Sequence, residues 1–200
     1  MLKSSLTENL IEAGCDEVGR GCLAGPVVAA AVILPKNYTH DLLNDSKQLT
    51  KEERQSVRVD ILSDALAWAV AEVSHQEIDE INILNASFRA MHRAIDQLKV
   101  KPQMLLIDGN RYRPSQDLPF ECIIKGDATY FSIAAASVLA KTYRDELMQR
   151  LALEFPGYGW ETNMGYATLQ HRDGIRNLGI TLYHRKTFQL LPSQLELFDY

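Results

Sequence analysis

An α/β fold with one mixed sheet and an antiparallel start is predicted by three features of this sequence. Two apolar segments follow each other closely between Ile11 and Leu34, joined by a glycine-rich turn. Further along, short apolar stretches alternate with stretches of helical periodicity. Three of the apolar stretches run into acids: Asp16-Glu17, Asp108 and Asp127.

The first segment ends at Asp16-Glu17. Its turn is Gly19-Arg20-Gly21, with Gly25-Pro26 just after, and a hairpin is the natural connection. Val27 to Leu34 is small and β-branched, a buried-strand pattern closed by Pro35. Thr50 and Glu53 form a capping box, in which each side chain satisfies an unpaired backbone donor, and the helix they open runs to about Ser63. Ala65 to Val73 reads as the third strand, although its alanines also favour a helix. From Gln76 to Leu98, Ile78, Ile81, Leu84, Phe88, Met91 and Ile95 recur at helical steps. Met104 to Ile107 is a short strand ending at Asp108-Gly109-Asn110. Glu121 to Ile124 is another, ending at Lys125-Gly126-Asp127. Ser132 to Glu154 is a long helix whose alanine- and serine-rich first half suits close packing on a sheet, and Phe155-Pro156-Gly157 stops it. A last helix spans roughly Thr168 to Asn177, with Gly179 as its stop. From Pro192 onward a tail separates from a single domain over residues 1–190.

Composition bounds the function. The 200 residues carry 21 Lys and Arg against 26 Asp and Glu, a formal charge of −5, which argues against holding nucleic acid by bulk positive charge. Two divalent ions among four acids would bring the total to about −1. Gln170 to Phe188 is locally basic, with Arg172, Arg176, Arg185 and Lys186 against Asp173 alone. Cys15, Cys22 and Cys122 have no C-x-x-C spacing, so buried free thiols are expected rather than a disulfide framework or zinc site. With no long apolar run and no signal-peptide pattern, a cytoplasmic protein without a membrane span is expected.

The acids carry the chemistry. Ligands collect at strand ends in α/β sheets, and clustered carboxylates need a counter-charge. Oxygen donors without His or Cys favour a hard cation such as Mg²⁺ or Mn²⁺. A pair of such ions can activate a water and stabilise the leaving oxygen of a phosphodiester. Asp-Gly and Gly-Asp are also common turn dipeptides, so each acid taken alone reads equally as a turn residue.

Cys15-Asp16-Glu17-Val18-Gly19-Arg20-Gly21 resembles the D-E-x-G-R-G signature of the type 2 ribonucleases H (ribonuclease HII). Asp45-Ser46-Lys47-Gln48-Leu49 resembles that family's D-S-K-x-L, and Ile78-Asp79 through Ile83-Leu84 its I-D-x-x-N-I-L run. Leu106 to Gly109, Lys125-Gly126-Asp127, Ala135 to Lys141, Arg144-Asp145, Gly165-Tyr166 and His184-Arg185 through Phe188 follow in family order. The resemblance implies a ribonuclease H-like fold, a five-stranded mixed sheet flanked by helices with a helical C-terminal part. It implies an endonuclease that hydrolyses RNA in RNA–DNA hybrids and nicks duplex DNA 5′ of single ribonucleotides, leaving 3′-hydroxyl and 5′-phosphate ends. It makes Asp16, Glu17, Asp108 and Asp127 the catalytic acids and ligands of Mn²⁺ or Mg²⁺. Gly19, Arg20 and Gly21 match the loop whose backbone reads the ribose 2′-OH, and glycines let a chain approach a sugar closely. Tyr166 matches the tyrosine that helps recognise the same hydroxyl. Lys47, His184 and Arg185 are expected on the substrate-backbone face, with Lys141, Arg144 and Lys186 as further candidates. Where many members carry Lys before Gly-Tyr, this chain has Met164, which puts one phosphate contact in doubt.

Gln194-Leu195-Glu196-Leu197-Phe198 resembles the pentapeptide by which bacterial proteins bind the DNA sliding clamp. Gln194, Leu195, Leu197 and Phe198 are spaced to anchor an extended peptide in an apolar groove. Type 1 ribonucleases H lack the hairpin signature, and type 3 enzymes carry a separate N-terminal domain for which the position of Asp16 leaves no room. A non-catalytic adaptor on the same fold would not need the four acids. A monomer is expected.

Overall fold

The computed structural model describes residues 2–43 and 49–191, so Lys47 and the tail residues Gln194, Leu195, Leu197 and Phe198 lie outside the described residues. Strands β1 (Glu12–Val18) and β2 (Val27–Ile33) come first, then helix α1 (Lys51–Asp64), β3 (Ala67–Val73), α2 (His75–Asp96), β4 (Met104–Asp108) and β5 (Phe120–Ile123). Helices α3 (Phe131–Glu154), α4 (Trp160–Asn163) and α5 (Leu169–Leu178) complete the chain. The sheet order is β3-β2-β1-β4-β5. β1 to β3 pair antiparallel in sequence order, while β1, β4 and β5 run parallel to one another. The expected mixed sheet with an antiparallel start is therefore present.

Alternation along β1 and β2 divides the core. Ala13, Cys15, Val27, Ala29 and Ala31 face α2, packed with Ile78, Ala90 and Met91. Val28, Ala30 and Val32 face the other way, onto α1 and the small residues Ala134 to Ala136 of α3. A separate cluster around Trp160, Met148, Tyr158 and Ile175 holds the C-terminal helices against α3. The thiols are free, Cys15 and Cys22 buried and Cys122 half-buried.

Four local details differ from expectation. A second capping box, Ser74 with Glu77, starts α2 earlier than its hydrophobic period does. Asn82 breaks α2 at φ 64°, ψ 163°, a region otherwise left to glycine. Its side chain accepts from the Asn85 N–H, so Asn82 caps the second half of the helix it interrupts. Lastly, a 3₁₀ turn (Gly126–Ala128) follows β5, and α4 is too short to show a period.

α3 lies on β1 with almost no gap. A Cβ on Gly14 would stand 2.2 Å from the Ser132 carbonyl carbon and 2.4 Å from the Ile133 nitrogen, both main-chain atoms that cannot swing aside. Gly14→Ala is expected to cost about 3 kcal/mol through forced separation of helix and sheet, a fall of roughly 6–12 °C in Tm for a chain of this size. Thermal melting by circular dichroism checks this, and an unchanged Tm would refute the close-approach account.

Candidate active site

β1 delivers two acids and β4 one. Parallel register pairs Cys15 with Ile107, which sets Asp16 and Asp108 side by side at the next position. β5 pairs Asp108 with Ile123 and ends at the same edge. Lys125, left-handed at φ 56°, turns the chain into the 3₁₀ turn that carries Asp127. The Gly126 N–H donates to Asp108 Oδ1 at 2.7 Å, which seats buried Asp127 beside Asp108. Three parallel strand ends thus bring all four predicted acids to one edge of the sheet.

Their electrostatics are unfavourable as they stand. Burial, then the charges of Glu17 and Asp108, pushes the Asp16 carboxyl well above the usual carboxylate range. A hydrogen bond with Ser137 and the Glu17 N–H, 2.7 Å from Oδ1, oppose that shift only in part. Glu17 is also raised, by burial first, with Arg20 opposing and Asp108 adding. Arg20, exposed, meets the Glu17 carboxylate at 3.0 Å. Among the described residues, no three His, Cys, Asp or Glu side chains already converge into an ion-binding cage. The donor set is nevertheless all oxygen, crowded and short of positive charge, which fits a hard divalent cation. A cleft of about 350 Å³ opens over Glu17 and Asp108, walled by Arg20, Leu84 and Phe88. A larger hollow of about 740 Å³ opens near Leu43, Leu49 and Phe131, and none of the four acids lines it.

The chain joining β1 to β2 forms the adjoining wall. Gly19 has φ 92°, and a Cβ there would lie 2.2 Å from Arg144 Nε, so packing alone requires this glycine. Gly21 differs, since a Cβ on it would meet nothing within 4 Å. Cys22 bridges Tyr166 in antiparallel fashion, and the Leu23 N–H donates to the Gly165 carbonyl at 2.8 Å. Tyr166 is therefore fastened beside the glycine loop, with its ring partly exposed. Partial burial and the neighbouring Cys22 push its hydroxyl up, so it stays protonated at neutral pH.

Two predicted contact residues are elsewhere than expected. His184 and Arg185 are fully buried, as is Arg144, so none of the three lies on an outer face. Arg185 donates to the carbonyls of Gly19, Arg20 and Gly25. His184 belongs to a buried chain. The Trp160 Nε1–H donates to His171 Nε2 at 2.9 Å, and tryptophan can only donate, so His171 carries its proton on Nδ1 and gives it to the Tyr166 carbonyl. His184 Nδ1 accepts from the Thr181 N–H, leaving its Nε2–H to point at His171 Nε2, 3.1 Å away. Burial lowers both imidazoles, His184 to about 4, in keeping with this neutral arrangement. Lys141 pairs with Asp145 at 2.8 Å. The sequence reading missed Ser137 as a partner of Asp16 and the apolar cleft wall of Leu84 and Phe88. Both lie on helices whose periodicity gave them to the core.

The ribonuclease HII family model matches residues 13–191. The chain belongs to the ribonuclease HII family. A ribonuclease HII of Bacteroides fragilis (strain YCH46) is 63% identical over 200 residues, covering 100% of both chains. The ribonuclease H2 of Pyrococcus horikoshii OT3 superposes with a TM-score of 0.75 at 25% identity, over 90% of this chain and 94% of that one. Ribonuclease HII from a PCNA complex of Archaeoglobus fulgidus superposes at 0.77 with 26% identity, over 94% and 100%. Family membership makes the chain an enzyme, an endonucleolytic ribonuclease H, on the ribonuclease H-like fold. Among the described residues no helix is long and apolar enough to cross a membrane.

With divalent ions chelated, Asp16→Asn is expected to raise Tm by a few degrees. The sign follows from the raised folded-state pKa: ionised Asp16 destabilises the fold, neutral Asp16 does not. The gain should vanish below the ordinary value of 3.8 and grow as pH rises through it. Melting curves across pH check this, and a lower Tm for the variant at neutral pH would contradict it.

Proposed function

We propose that this enzyme hydrolyses the RNA strand of RNA–DNA hybrids and nicks duplex DNA on the 5′ side of a single embedded ribonucleotide, leaving 3′-hydroxyl and 5′-phosphate ends. The reading rests above all on the meeting of three parallel strand ends with the glycine loop, so that acids and loop share one edge. Asp16 and Asp108 are the central ligands of two divalent ions, Mn²⁺ or Mg²⁺, with Glu17 and Asp127 completing the set. Bound there, the ions supply an activated water and charge neutralisation at the phosphate. The chain's own residues do the rest. Ser137 and the Glu17 and Gly126 N–H groups orient carboxylate oxygens. Arg20 steadies Glu17 and adds a positive charge at the cleft mouth.

Recognition of the ribose falls to Gly19-Arg20-Gly21 and Tyr166. The 2′-OH is the one group that marks a ribonucleotide within DNA. The open space over Gly21 supports the assignment, because among the described residues no atom lies within 4 Å of a Cβ there to require glycine. Lys47 is assigned to the substrate backbone. Residues 1–190 form the catalytic domain of a cytoplasmic monomer acting in ribonucleotide removal and replication.

Duplex DNA carrying one ribonucleotide should be nicked with Mn²⁺ or Mg²⁺, and Asp16→Asn should lower kcat by at least about 100-fold, the scale of losing one charge-stabilising group. Gel analysis of end-labelled substrate, run beside an all-RNA–DNA hybrid, reads the cut position. Full activity in the variant would end the metal-ligand assignment.

The residues Gln194 to Phe198 are the clamp-binding peptide in this proposal, supported by their pattern and by a structural neighbour that was solved bound to PCNA. Deleting residues 194–200 should leave hydrolysis of short duplexes intact and abolish binding to a bacterial sliding clamp in surface plasmon resonance. Undiminished binding by the truncated protein would remove the tail from the account.

A further inference from the structure

Arg144 and Arg185 are both fully buried, in the part of the fold that carries the glycine loop. Arg144 donates through Nε to the Pro26 carbonyl at 2.9 Å, through Nη2 to Ala24 at 3.0 Å and through Nη1 to Met164 at 2.8 Å. Arg185 donates through Nε to Gly25 at 3.0 Å, through Nη1 to Arg20 at 2.8 Å and through Nη2 to Gly19 at 2.6 Å. All six bonds end on main-chain carbonyls. Burying a guanidinium without a matching carboxylate is costly, and a cost of this kind calls for a return.

The return lies in the direction of the peptides. A trans peptide is planar and points its N–H opposite to its carbonyl, and no cis bond occurs here. The Gly19 carbonyl shares a peptide with the Arg20 N–H, and the Arg20 carbonyl shares one with the Gly21 N–H. Turning both carbonyls inward onto Arg185 turns both N–H groups outward. That side is open: Arg20 and Gly21 are exposed, and among the described residues a Cβ on Gly21 would meet nothing within 4 Å. Arg144 ties the same loop to the other wall, since Met164 precedes Gly165-Tyr166 and the two carbonyls it holds, Ala24 and Pro26, belong to the loop's return.

We propose that Arg144 and Arg185 are positioning residues for ribonucleotide recognition: Arg185 aims the Arg20 and Gly21 N–H groups at a sugar hydroxyl, and Arg144 sets Tyr166 at a fixed distance from them. This rests on the assignment of the glycine loop to the 2′-OH. A guanidinium fork is needed, because its Nε, Nη1 and Nη2 each meet a different carbonyl, a spread of fixed donors that a compact ammonium lacks. Lysine at either position keeps the charge and loses the aim.

The test is binding of two DNA duplexes that differ by one 2′-hydroxyl, followed by fluorescence anisotropy with full-length protein in Ca²⁺. Wild type should prefer the ribonucleotide duplex, and equal binding by wild type would overturn the loop assignment itself, and this inference with it. Given that preference, R185K and R144K should each reduce it about tenfold, the scale of one hydrogen bond to a charged group, with affinity for the all-DNA duplex within about twofold of wild type. An unchanged preference in folded variants would overturn the proposal. So would equal loss of affinity for both duplexes, or unfolding of both variants at the assay temperature, since either outcome assigns the arginines to stability alone.

Discussion

Parallel pairing of β1 with β4 sets the terms for the whole site. The register places Asp16 beside Asp108 at the spacing of adjacent strands, and two unit charges about 5 Å apart repel by roughly 3 kcal/mol at an effective dielectric near 20. One hydrogen bond to a charged group returns about 1.5–3 kcal/mol. Ser137 and the Glu17 N–H therefore offset the repulsion around Asp16 without also covering the cost of burial, which is why its carboxyl remains raised. Ser137 can reach Asp16 only because α3 lies directly on β1, and α3 lies there only because residue 14 has no side chain. A stabilising contact in the core and a destabilising charge at the edge are parts of one arrangement.

The segments beyond the strand ends face a different problem. Residues 19–26 and 158–168 belong to no sheet, yet their buried carbonyls still need donors. Side chains supply them. Arg185 and Arg144 serve the first segment. The Trp160–His171 chain serves the Tyr166 carbonyl, and Asn163 receives the Gly165 N–H. The two systems meet at Met164, whose carbonyl takes Arg144, and the two irregular segments are in this way tied together by side chains.

How far the sequence speaks for itself depends on which physical signal a residue leaves. Val27 to Ile33 is apolar throughout and forms a strand buried on both faces. Thr50 with Glu53 marks a helix start that is present to the residue. The acids were legible as strand ends, because an apolar run that stops at Asp-Glu, Asp-Gly or Gly-Asp is visible in one dimension. The arginines were not. An arginine bound to carboxylates tends to have an acid somewhere in the pattern to suggest it, whereas one bound to three distant carbonyls leaves no trace, since every residue has a carbonyl. Arg144 and Arg185 therefore read as charges of a substrate-binding face. The same reasoning covers His184, whose partners are another histidine and the N–H and hydroxyl of Thr181.

Met164 shows what such main-chain contacts permit. It sits at φ 50°, an unusual conformation for a long side chain, and its side chain packs on the cluster around Trp160 and Met148. Its hydrogen bonds use the backbone alone: the N–H donates to the Trp160 carbonyl and the carbonyl accepts from Arg144. Neither bond depends on which side chain is attached. The position can carry the lysine typical of the resembling family or the methionine found here without moving Gly165 and Tyr166. What differs between the two is the side chain alone, which here is uncharged and held against that cluster.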